Sequence, residues 1–219
     1  MRRLSDSTTV AAKLRSNPGH ADLPAALFEL LAEHGALLEG HFALQSGEHS
    51  PYFLRFQDLG WNVTALRAFA GLLHDRQHSR LDVDLVLCSA SAGFFFAAVC
   101  ARLIDRPLAV LAADLKKRPL DKLQSGSVPR EARVLIVADV ITKGKTVEAL
   151  VRYARNRSAH VAGVFAFASL HPDLLQSYLR RERMRGDWLL ESAWDVYDSS
   201  QCPLCREHRE PAIPAFVLA

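Results

Sequence analysis

One acid, two hydroxyls, two ammonium groups and a glycine stand together at Asp139, Thr142, Lys143, Gly144, Lys145 and Thr146. They follow Val134-Leu135-Ile136-Val137-Ala138, an apolar and mostly β-branched run that reads as a short buried strand over Val134 to Val137. The chain is expected to leave that strand at Asp139 and enter a Thr-x-Gly-x-Thr turn before an amphipathic run from Val147 to Tyr153. A strand, a hydroxyl-bearing turn and a helix start present backbone N–H groups to an anion, and a phosphate suits that geometry. Gly144-Lys145-Thr146 also invites comparison with the nucleoside-triphosphate loop. That loop needs a glycine where Asp139 stands, and a carboxylate there repels a triphosphate.

A second group of residues is sulfur-based. Cys202-Pro203-Leu204-Cys205 puts two thiols on one tight turn, with His208 three residues on. The spacing fits half of a structural zinc site, in which two thiolates suit a tetrahedral metal. Two further ligands are required. His208 offers one, Cys88 and Cys100 lie in apolar segments that read as core, and two tails could pair across a dimer. Free thiols or a redox pair are the other readings of the motif.

These groups need elements to hold them. Leu23, Ala26, Leu27, Leu30 and Leu31 have helical spacing, and Phe42 to Gly47 and Tyr52 to Phe56 read as two strands joined by a polar turn. Thr64 to His74 reads as a helix N-capped by Asn62. From Val83 onward the texture alternates: strand Val83 to Cys88, helix Phe94 to Leu103, strand Leu108 to Ala113, then Val134 to Val137, Val147 to Tyr153 and Val161 to Leu170. Nearly continuous apolar strands separated by helices predict an α/β fold with a parallel sheet covered on both faces. Lys116 to Arg130, with three lysine or arginine residues opening it and two prolines, is expected to be the longest loop of that region. Arg180 to Arg185 is expected to be a solvated helix face rather than a nucleic-acid patch, since no aromatic residues interleave the charges.

At 219 residues the chain is long enough for one domain with a real core. Hydrophobic residues make up 49% and charged residues 23%, an ordinary globular balance, and a net charge of +3 is too mild to argue for nucleic acid. No apolar run is long enough to span a bilayer, and the basic start Met1-Arg2-Arg3 has no apolar segment behind it. A cytoplasmic protein with reduced thiols is therefore expected.

Three ordered segments together resemble the type I phosphoribosyltransferases, and among them the orotate phosphoribosyltransferases. They are Gly35-Ala36-Leu37 with Phe42-Ala43-Leu44-Gln45-Ser46-Gly47-Glu48-His49-Ser50-Pro51-Tyr52-Phe53, then Cys88-Ser89-Ala90-Ser91-Ala92-Gly93, then Ala138 to Thr146 followed by Val161-Ala162-Gly163-Val164. The resemblance implies a type I phosphoribosyltransferase fold with an N-terminal hood. It divides the chain into a lead-in over 1–20, a transferase-like domain over 21–178, and a C-terminal extension over 179–219 that carries the Cys-x-x-Cys. It also implies binding of phosphoribosyl pyrophosphate (PRPP) or a ribose 5-phosphate nucleotide, Mg²⁺ accompanying PRPP, a homodimer, and a place in pyrimidine nucleotide metabolism.

Carried onto this sequence, the resemblance gives Thr142, Lys143, Gly144, Lys145 and Thr146 the 5′-phosphate. Asp139 takes the ribose hydroxyls and the positive charge that develops at C1. Ser89, Ser91, Gly93, Lys117 and Arg118 fall on the pyrophosphate side, Ser46, Gly47, Tyr52 and Phe53 at the base, and Lys116 where a loop lysine takes part in catalysis. Alanine stands at 92, 112, 113 and 138, and Gln45 in the hood turn, where the family carries charged groups. Pyrophosphate leaves with several negative charges, so those losses argue for weakened catalysis unless Lys116, Lys117, Arg118 and Lys122 substitute. The expectation is a PRPP-binding transferase of the orotate type, or a catalytically degenerate relative that senses a nucleotide and regulates a protein partner.

Overall fold

A computed structural model describes residues 2–3, 24–44, 46–55, 58, 62–74, 82–91, 93–113, 119–191, 194–207 and 212–214. Among the described residues the main sheet is built from β4 (Leu85–Ser89), β5 (Leu108–Ala113), β6 (Pro119–Ser125), β7 (Arg133–Ile141), β8 (His160–Ser169) and β9 (Arg185–Glu191), in the spatial order β6-β5-β4-β7-β8-β9. β5, β4, β7, β8 and β9 run parallel, and β6 pairs antiparallel at the edge. Alternation along β4 and β7 separates two apolar clusters. Val86, Cys88, Leu135 and Val137 face α3 (Gly93–Leu103), where Phe96 packs on Phe165 and Phe167. Leu85, Leu87, Val134, Ile136 and Ala138 face α4 (Lys145–Asn156), which buries Val147, Leu150, Val151 and Ala154. The expected α/β fold is the observed one.

The hood sheet draws on both ends of the chain. β2 (Leu37–Ala43) and β3 (Glu48–Leu54) form an antiparallel hairpin; β1 (Arg2–Arg3) and β11 (Ile213–Pro214) pair with β2, and β10 (Tyr197–Asp198) pairs with β3. α1 (Pro24–Glu33) packs on β2 and on α2 (Val63–His74), and the Asn62 side-chain oxygen accepts the Thr64 N–H at 3.0 Å, the cap that the sequence leads one to expect. Helix α5 (Pro172–Arg181) follows β8, and the short α6 (Pro203–Glu207) carries the second thiol of the tail. Among the described residues no helix is long and apolar enough to cross a membrane.

Four expectations shift. The hood strands start and end earlier than Phe42 to Gly47 and Tyr52 to Phe56, because Leu44 to Gly47 is spent on the turn and Leu37 and Leu38 are buried in the strand ahead of it. β7 does not end before Asp139: Val140 and Ile141 still pair with Ala168 and Ser169, because the neighbouring β8 is long enough to hold them. The span 116–130 is not all loop, since 119–125 is strand β6; on that edge Leu123 packs on the core while Asp121, Lys122, Gln124 and Ser125 are exposed, so a largely polar sequence still extends. Finally, Arg180 to Arg185 is not one helix face. The helix stops at Arg181, Arg183 takes a left-handed φ of 54°, and Arg185 opens β9 ahead of the buried Trp188-Leu189-Leu190.

Candidate active site at the sheet switch point and a histidine–cysteine cluster

β4 has β5 on one side and β7 on the other, so the strand order reverses between β4 and β7. Open α/β sheets bind ligands at the carboxyl ends of strands at such a switch point. Here those ends are Ser89 to Gly93 after β4 and Asp139 to Thr146 at the end of β7. The two segments touch. A Cβ built on Gly93 would sit 3.0 Å from both the Asp139 amide nitrogen and a carboxylate oxygen, so a larger residue there would require Asp139 to shift. Ser89 is buried, with no hydrogen-bond partner for its hydroxyl among the described residues, and Ser91 is half-buried beside it.

Burial pushes the Asp139 carboxyl above the ordinary aspartate value, against backbone N–H groups of Val140 and of Asp139 itself that favour the anion. The charge is felt locally: burial first, and then Asp139, push the Cys88 thiol up to about 12. Strand alternation puts Ala138 on the opposite face from Asp139, 8% exposed within the apolar cluster under α4. An acid at 138 would therefore enter hydrocarbon rather than join Asp139.

Beyond Ile141 the chain turns through 142–144 into α4. Gly144 takes a left-handed φ of 77° at the N-cap, and no side chain caps the first turn. The leading N–H groups of α4 are thus free of a side-chain acceptor and carry the positive end of a twelve-residue helix dipole. Thr142 and Thr146 are half-buried and Lys145 is exposed. Lys143 reaches back to the hood: its ammonium is 3.8 Å from Glu48 Oε1, which also receives His171 Nε2 at 2.9 Å. Glu48 is buried, so an anion at the start of β3 ties the hood to both the phosphate loop and the start of α5. Neither Glu48 nor His171 is singled out by sequence reasoning. An acid beside a hairpin turn looks like a solvated charge until the strand register is known.

The hood residues proposed for the base are split. Ser46 and Gly47 form the turn, where the Ser46 hydroxyl lies 3.4 Å from the Glu48 N–H. Tyr52 points into the core against Trp194, with ring centroids 5.7 Å apart, and burial raises its hydroxyl. Phe53 faces the other way and packs on Phe42. Ala112 is buried and Ala113 half-buried at the end of β5, and Lys122 is exposed on β6. Gln45, Ala92, Lys116, Lys117, Arg118 and His208 lie outside the described residues.

The tail thiols meet partners that the sequence did not suggest. Cys202 and Cys205 converge on His41 of β2 and His49 of β3. His41 Nε2 is 2.9 Å from His49 Nδ1, 3.7 Å from Cys202 Sγ and 3.6 Å from Cys205 Sγ, while Cys205 Sγ is 3.2 Å from His49 Nδ1. All four donor atoms lie within 4.8 Å of one another. His41 and Cys202 are buried, His49 is half-buried and Cys205 exposed. The available signal was two histidines flanking a hairpin turn, which only strand pairing turns into neighbours.

The model of the phosphoribosyl transferase domain matches residues 62–181. The chain is 31% identical over 192 residues to an orotate phosphoribosyltransferase of Thermus thermophilus, covering 83% of this chain and 95% of that protein. It is 29% identical over 140 residues to one from Pyrococcus horikoshii, covering 64% of this chain and 75% of the relative. In three dimensions it is similar to a crystal structure of orotate phosphoribosyltransferase from Aeropyrum pernix. That match has a TM-score of 0.59 at 22% identity, over 74% of this chain and 90% of the other, and supports the fold.

Proposed function

The chain belongs to the phosphoribosyltransferase family, and from that premise we propose that it binds PRPP at the switch point and transfers ribose 5-phosphate to a pyrimidine base of the orotate type. The observation that carries the reading is the meeting of two loops, with Gly93 closed against Asp139 and the uncapped start of α4 immediately beyond. The first N–H groups of α4, with the hydroxyls of Thr142 and Thr146, would take the 5′-phosphate; Lys145 would add charge at its rim. In the transfer the C1–pyrophosphate bond breaks and a bond from C1 to a ring nitrogen forms. Asp139 would stabilise the positive charge on the ribose between those events.

Mg²⁺ is the family's companion to PRPP. One carboxylate, Asp139, fits an ion that keeps most of its ligands from phosphate and water. Bound there, the ion would neutralise charge on the departing pyrophosphate. Asp139 would then supply an oxygen ligand and orient the ribose. The same premise carries a homodimer, which light scattering would read directly.

One observation favours a second reading. Ala138 is sealed in the apolar face under α4, so the acidic pair of the family is reduced to one working acid. A non-catalytic relative would keep PRPP or monophosphate binding without turnover. Calorimetry and a PRPP-dependent assay with orotate separate the two. Turnover that disappears in Asp139→Asn supports the transferase; tight PRPP binding with no turnover on any pyrimidine supports the sensor.

A further inference from the structure

The cluster of His41, His49, Cys202 and Cys205 lies outside the switch point and takes no part in the proposed transfer. A hydrogen-bonded set does not account for its geometry. The single lone pair or proton of His41 Nε2 cannot serve three partners at once, yet His49 Nδ1, Cys202 Sγ and Cys205 Sγ all surround it at 2.9–3.7 Å. Four donor atoms gathered around one point are what a cation organises. With zinc–nitrogen bonds of about 2.0–2.1 Å and zinc–sulfur bonds of about 2.3 Å, a tetrahedron separates two nitrogens by about 3.4 Å and nitrogen from sulfur by about 3.6 Å. The three nitrogen–sulfur distances, 3.2–3.7 Å, bracket that edge, and the two nitrogens, at 2.9 Å, would move apart by about half an ångström to admit the ion.

We propose that His41 Nε2, His49 Nδ1, Cys202 Sγ and Cys205 Sγ form a closed, structural zinc site that staples the C-terminal turn to the hood hairpin. Both cysteines bind as thiolates after losing their protons, which balances the dication, and both imidazoles bind neutral. Two nitrogens and two thiolates are the donor set of a tetrahedral zinc site, and four protein ligands leave no position for a reacting water. The site ties together strands that are otherwise held weakly. β10 has two residues, paired to β3 at Tyr197↔His49 and Asp198↔Glu48, and β11 has two residues against β2. The metal would fix the register at His49, and hence the adjacent Glu48 that holds Lys143 of the phosphate loop.

The test uses the full chain purified without chelator. Elemental analysis is expected to give one zinc per chain, and chelator added to the folded chain is expected to make about two further thiols titratable, Cys88 and Cys100 staying buried in the core. Exchange with Co²⁺ is expected to produce thiolate-to-cobalt charge-transfer and tetrahedral ligand-field bands. Cys205→Ser, at the exposed ligand, should lose the metal while the circular dichroism of the main sheet persists, and Cys205→His should restore binding with an altered cobalt spectrum. A folded chain that takes up neither metal when reduced overturns the proposal. So does a Cys202–Cys205 disulfide in freshly prepared protein, a stoichiometric iron in place of zinc, or cobalt bands that survive in Cys205→Ser.

Discussion

Eight consecutive residues, 139–146, supply the whole of the phosphate loop, whereas the histidine–cysteine cluster joins residues up to 164 positions apart. The loop takes its shape from backbone geometry: a buried strand end, a left-handed glycine and a helix start. The cluster has almost no backbone to lean on, since the strands beside it from the tail are two residues long. Its order has to come from side-chain donors. The difference teaches that one chain shapes one candidate site from consecutive backbone and another from side chains brought together across the fold. Substitutions in the two regions should accordingly fail in different assays.

The largest effect expected is on the cluster. With zinc at about a thousandfold its dissociation constant, removal costs about 4 kcal/mol and lowers the melting midpoint by roughly 8–16 °C for a chain of this size. Differential scanning calorimetry with and without chelator reads it, and an unchanged midpoint would show that backbone alone holds the tail. Next comes Asp139→Asn, expected to reduce PRPP turnover on the order of 10²–10³-fold while metal content stays at one per chain. A parallel loss of metal would mean that the two regions are not separate. Glu48→Gln probes the link between them. The weaker hold on Lys143 and His171 should raise the KM for PRPP about tenfold with little change in kcat; equal effects on both parameters would refute a positioning role.

Smaller effects concern the loop alone. Gly144→Ala has open space for its methyl but a left-handed φ of 77°, so a stability loss of about 1–2 kcal/mol is expected, together with weaker phosphate binding in calorimetry. Asp139 gives a signed pH dependence. Its raised pKa means that the acid limb of PRPP binding lies above the pH of an ordinary aspartate. For folding, the buried anion costs stability above that pKa and nothing below the unfolded value. Ligand-free Asp139→Asn should therefore be more stable than the parent near neutrality, the gain fading as pH falls through the folded pKa. Urea titrations at several pH values would reveal a reversed or flat trend.

The strand, turn and helix of this loop were legible because their sequence signals are local: Val134 to Val137 is apolar, Gly144 permits the turn, and Val147, Leu150 and Val151 face one way. The expected end of β7 was short by four residues, because its length is set by pairing with β8 and not by its own residues. Edge strand β6 was hidden for a related reason, as an edge position leaves Asp121, Lys122, Gln124 and Ser125 exposed and its sequence largely polar. Half of the cluster was visible in Cys202 and Cys205. The rest was not, since His41 and His49 become ligands only through hairpin register and through a tail that returns from the far end of the chain. Glu48 was hidden in the same way, for its partners His171 and Lys143 come from other elements.

The hood sheet is assembled from residues 2–3 and 37–54 at one end of the chain and 197–198 and 213–214 at the other. During synthesis the strands β4, β5, β7 and β8 emerge next to their partners and can close most of the main sheet early. The hood hairpin precedes them in the chain, and its pairing with 197–198 and 213–214 has to wait until those residues have been made, so that long-range pairing closes last. A chain stopped near residue 191 would thus carry a nearly complete sheet beneath an open hood. The hood is thus begun ahead of the main sheet and completed after it.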